Sequence, residues 1–154
     1  MIKKIDFKDL FKFIGIGLLM ALLGGIISGL LDWILSYINL YISFSIVILI
    51  YFVAYRMRSV YSFYHIIYPI LALVFFYLGL VFCDITSIVL NLGFQSLGIV
   101  INPMFFLEVL LEPIFDIYLG IKILNASQIV VGIINLAVYG FAYFYTFKIT
   151  KGRN

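Results

Sequence analysis

FIGIGLLMALLGGIISGLL, residues 13–31, runs nineteen positions without a charge, closed by Lys12 on one side and Asp32 on the other. A helix needs roughly 20 apolar residues to cross about 30 Å of hydrocarbon, so this stretch reads as a membrane span. Its small residues repeat: Gly17, Ala21, Gly25 and Gly29 fall four apart, with Gly24 and Ser28 alongside. Interior glycine costs a helix about 0.5–1 kcal/mol against alanine. In lipid, helices gain nothing hydrophobic by associating, and small residues let their backbones approach instead. The row is therefore expected to be a helix-packing face, directed at the second or fourth span of the same chain or at another copy. Gly132 and Gly140 offer a thinner counterpart in the fourth span.

The rest of the chain agrees with lipid as its solvent. Of 154 residues, 66% are hydrophobic and 11% charged, against roughly 45–50% and about 25% in soluble domains. Three further stretches are long enough to span: Trp33 to Tyr55, Ser59 to Cys83 (interrupted by His65) and Ala126 to Phe147. The expected spans are 13–33, 38–56, 64–83 and 127–147, forming one transmembrane domain over 1–154. The first apolar run is too long for a signal-peptide core, and no small-residue cleavage site follows it, so the first span is expected to be retained.

Charge orients the scheme. With the N-terminus inside, four spans place Lys3, Lys4, Lys8, Lys12, Arg56, Arg58, Lys148, Lys151 and Arg153 on one side, leaving only Lys122 of the ten basic residues outside. Asp32, Asp84, Glu108, Glu112 and Asp116 sort to the outer side, while Asp6 and Asp9 stay inside. Lys and Arg flanking spans mark the cytoplasmic face, so both termini are expected in the cytoplasm of a plasma-membrane protein. Trp33, Tyr37 and Tyr41 then fall near the outer boundary. Tyr51, Tyr55, Tyr61, Tyr64, Tyr143 and Tyr145 fall near the inner one, as headgroup-seeking rings should.

The stretch 84–126 is the irregular part, expected as an extracytoplasmic acidic segment. Asn102-Pro103 signals a turn or helix start. Glu108, Glu112 and Asp116 then recur every four residues, on one helical face, and Pro113 is expected to interrupt that helix or begin a new one. As a lone span, 104–124 would gain about −6 kcal/mol from its apolar residues and lose about +9 kcal/mol to its acids. An amphipathic helix on the outer surface is the expected arrangement. The alternative is a re-entrant hairpin at 85–124, buried against the other helices, since irregular backbone at depth must be covered by protein or line a cavity.

Little else carries chemistry. Glu108, Glu112 and Asp116 are candidate ligands for a cation, which would want several oxygens. No Glu-x-x-His accompanies them, as a di-iron centre would need. Asp32 and Asp84 are the pair a membrane aspartyl hydrolase would use, but no motif surrounds either, and no enzyme is expected. His65 lacks an evident partner, Cys83 is a single thiol, and no phosphate-binding loop occurs. Asn125-Ala126-Ser127 lies too close to the last span for glycosylation, and Pro69 is expected to kink the third span. Scattered basic residues argue against nucleic acid, and no cofactor is expected. The expectation is an all-α, polytopic four-helix transmembrane bundle. Its function would be that of a small accessory protein binding a membrane partner, or a copy of itself, through its glycine-rich first helix. The alternative is a small cation transporter or channel using the acidic hairpin at 85–124.

Overall fold

The computed structural model describes residues 7–38, 44–61 and 65–152. The chain is all-helical, with no strand among the described residues. Helix α1 is Phe7–Tyr37. Helix α2 occupies 45–58, where α-helical Ser45–Leu49, a π-helical stretch Ile50–Tyr55 and Arg56–Arg58 follow without a break. Helix α3 is Ile67–Leu92, and a 3-10 turn at Phe94–Ser96 leads into the single turn α4, Leu97–Val100. Helices α5 (Pro103–Lys122) and α6 (Ala126–Lys151) complete the chain.

Local chemistry explains these limits. Gly93 and Gly152, at φ +79° and +78°, end α3 and α6 in a conformation glycine adopts freely. Asn102 caps α5 by accepting from Met104 N at 3.0 Å, and Pro103 opens the helix where its missing N–H is not needed. Asn125 caps α6 in the same way through Ser127 N. His65 Nδ1 accepts from Ile67 N, 3.2 Å away, at the start of α3.

Several sequence expectations change. Pro69 falls in the first turn of α3, where no intrahelical bond is lost, so it gives no reason for a kink. Pro113 neither ends nor begins a helix; α5 runs through it. The third span extends past Cys83 to Leu92, because the polar groups there bond their own backbone: Thr86 Oγ1 donates to Phe82 O, and Asn91 Nδ2 to Ser87 O. Asp84 thus lies within a helix rather than at its end. The second expected span, 38–56, is the largest departure. Its described helix, 45–58, rises only about 21 Å, and residues 39–43 and 62–64, with Tyr41 and Tyr64, lie outside the described set. Lys3, Lys4, Asp6 and Arg153 lie outside it too. Among the described residues, α1, α3 and α6 are long and apolar enough to cross a membrane. A fourth qualifies only if α5 is joined to the segment Phe94–Val100, from which it bends by 78°.

Packing sets the directions. Gly17 meets Phe75, Gly25 meets Phe82 and Gly29 meets Thr86, so α1 and α3 run parallel. Gly17 also faces Met57 while Gly24 faces Leu49, so α2 runs antiparallel to α1. Parallel neighbours need a return between them, and antiparallel α2 is its described part. Helix α6 is antiparallel to α3: Tyr143 packs edge-on against Phe76 at 5.2 Å, and the Tyr61 hydroxyl donates to Thr150 O beside the start of α3. Helix α5 is antiparallel to α6, with Gly120 against Ile129 and Gly132 against Ile117. Phe13, Leu49, Val53, Met57 and Phe76 fill the core, all fully buried. Lys8, Lys12, Arg56, Arg58, Lys148 and Lys151 therefore share one end of the molecule.

Candidate functional site: an acidic chamber between α3 and α5

The six residues of the small row (Gly17, Ala21, Gly24, Gly25, Ser28 and Gly29) are all buried. Their partner is chiefly α3, with α2 covering Gly24 and sharing Gly17. A Cβ at Gly25 would come within 2.7 Å of Gly79 O, and one at Gly29 within 2.6 Å of Cys83 O. These contacts are with backbone, which cannot step aside. Of the counterpart glycines, Gly132 packs tightly on α5, while Gly140 has nothing within 4 Å.

Tight α1–α3 packing leaves the opposite side of α3 facing α5. Val81, Val100 and Phe105 form a small apolar cluster that seats the start of α5 against the middle of α3. The Tyr77 hydroxyl donates to Phe106 O and fixes the same approach. So α5 begins beside the middle of α3 and runs lengthwise along α6. A helix lying across the end of the bundle would show neither contact.

This placement turns Glu108 and Glu112, one helical turn apart, toward Asp84. The three carboxylates line a cavity of about 290 Å³, together with Ser87, Ile88, Phe105 and Val109. Water occupies about 30 Å³ per molecule in the liquid, so the chamber has room for several. Among the described residues, no basic side chain lines it. Asp84 lies within electrostatic range of Glu112 and Asp32, and Asp32 Oδ2 accepts from Cys83 Sγ at 3.6 Å. Asp116, the third acid of the expected trio, does not line the chamber; its Cβ lies against Gly132 of α6.

A second, more apolar cavity of about 170 Å³ lies between α3, α5 and α6, bordered by Leu80, Pro113, Tyr139 and Tyr143. Val109 borders both cavities. Pro113, four residues on, has no N–H to give the Val109 carbonyl, so that oxygen loses its helical partner where the two spaces meet.

Among the described residues no group of three or more His, Cys, Asp or Glu side chains is close enough to hold a metal ion. The carboxylates ring a space rather than converge on a point. Sequence reasoning missed Asp84 as a member of this group, having placed it at a span end. The signal was the apolar run ITSIVLNL (85–92), which carries the helix on to Gly93. No family model, no curated protein and no solved structure matches this chain.

Proposed function

We propose that this chain is a polytopic integral membrane protein with both termini in the cytoplasm, and that the chamber between α3 and α5 takes up a cation for passage across the bilayer. In this reading α1, the 38–66 return, α3 and α6 make four crossings of a cell membrane. The segment 94–122 dips in from the outer side and returns. The parallel pair α1–α3 supports an even number of crossings, and the gathering of the basic ends supports the orientation.

The observation that carries the proposal is the meeting of Asp84, partway along a helix apolar enough to span, with Glu108 and Glu112 of α5 around one cavity. A carboxylate at the centre of a transmembrane helix costs about +2.5 to +3.5 kcal/mol. Three facing each other without a basic side chain in the lining are a cost that packing does not explain, and such residues mark ion or proton paths. A ring around open space suits a proton or a hydrated or organic cation better than a bare divalent ion. The accessory-subunit reading loses the glycine row, which is filled by the chain itself, and keeps only the outward apolar faces of the helices.

The test is flux in proteoliposomes. Purified protein should release a preset cation or proton gradient faster than empty vesicles. Asp84→Asn and Glu112→Gln should each reduce that rate at least tenfold, while Asp116→Asn leaves it within twofold. Lowering the pH should slow metal or organic cation flux, since protonation removes the charge the cation requires. Flux indistinguishable from empty vesicles, for protons and cations alike, would refute the reading.

A further inference from the structure

The end of the molecule opposite the acidic half carries charge that the chamber does not use. Arg56 and Arg58 close α2, and Lys148 and Lys151 fall in the last turns of α6; all four are exposed. The fold brings these distant segments together. The Arg58 guanidinium lies 3.9 Å from where a Cβ on Gly152 would stand, immediately after Lys151. The bond from Tyr61 to Thr150 ties the same two regions. Lys148 and Lys151, three apart, share a face of α6. Arg56 stands over the Tyr51 ring, 5.8 Å from its centre. Among the described residues at this end, Asp9 of α1 is the only carboxylate.

We infer that this cluster binds the phosphodiester headgroup of an anionic phospholipid, held chiefly by Arg58 and Lys151 with Lys148 and Arg56 at the rim. The inference rests on membrane insertion as proposed above, though not on cation uptake. Two features support lipid over a soluble phosphate, and a third, the arginine fork, suits the phosphate of either. The cations stand at the ends of apolar helices, where a headgroup is delivered beside its acyl chains. Tyr51 and Tyr55 flank them, and such rings favour the headgroup layer. The planar arginine fork matches two phosphate oxygens at once. Helix-end cations also offset the carbonyl ends of α2 and α6, but that role needs no ligand and predicts no lipid selectivity.

The experiment uses the full chain purified in an uncharged detergent. Phosphatidylglycerol, phosphatidylcholine and glycerol 3-phosphate are added separately; bound lipid is read by native mass spectrometry and stability by thermal unfolding. Phosphatidylglycerol should be retained and should raise the midpoint, while the other two should do neither. Each lost cation should weaken phosphatidylglycerol binding about fivefold, so Arg58→Gln/Lys151→Gln should lose about 25-fold. Lys151→Arg, which keeps the charge, and Lys122→Gln, at the far end, should retain binding. Should the first pair fail to fold, Lys148→Gln/Lys151→Gln serves in its place. Equal response to phosphatidylcholine or to glycerol 3-phosphate, or undiminished binding in the glutamine pair, overturns the site. Extraction of the chain from membranes by alkaline carbonate would instead overturn membrane insertion itself.

Discussion

At the scale of single residues, the row in α1 is decided by what stands opposite each glycine. Gly25→Ala and Gly29→Ala push a methyl group into the backbone of α3 and should each destabilise by about 1–3 kcal/mol. Gly140→Ala, with open space around it, should instead be neutral or gain about 0.5–1 kcal/mol of helix propensity. Thermal unfolding in detergent separates the two outcomes. Leu124 presents the opposite case. It holds φ +52° in the turn between α5 and α6, a left-handed conformation that costs a branched residue roughly 1–2 kcal/mol. Leu124→Gly should raise stability by about 1 kcal/mol by the same measurement. The glycine spacing was legible in the sequence because i, i+4 residues share a face. Its partner was not, since nothing in the row distinguishes α3 from α2 or α6.

At the scale of elements, α5 is the piece whose position matters most. The Asn102 cap and the Tyr77 bond hold its start beside α3. Asn102→Ala should cost about 1 kcal/mol and loosen that start. Its depth can be read by chemistry. In a Cys83→Ser background, a cysteine at Glu108 should react with a small membrane-impermeant reagent applied from outside, through the chamber. A cysteine at buried Ser96 should be protected, whereas a surface helix would leave both reactive. The start of α5 was readable from Asn102-Pro103, and its acidic face from the four-residue spacing. Its docking was not. Transfer energies for an isolated helix counted three acids against the bilayer, and could not see that two of them would be turned toward a cavity shared with Asp84. The membership of Asp84 is a long-range fact, created by the parallel run of α1 and α3 and the backward bend at 94–102.

At the scale of the whole molecule, the charge pattern predicts an even number of crossings, and the fold gathers the basic helix ends on one side. The three helix ends rich in Lys and Arg share one end of the molecule, where Phe13 packs on Tyr61 and Tyr68. Tags at the two termini should respond alike to protease added outside sealed cells, both surviving; cleavage of one alone would break the scheme. What the charges could not convey was the shortness of α2, because an uncharged run limits a helix from above and not from below. The parallel pairing of α1 with α3 also has a consequence for synthesis. Gly25 emerges from the ribosome well before Phe82 and Cys83, and at about 5–20 residues per second its groove stays vacant for several seconds. If α1 inserts as proposed, the nascent first helix offers its row of small residues to any neighbouring helix during that interval. Early misassembly between newborn chains, rather than unfolding of finished ones, is where crowding this protein in a membrane should first show itself.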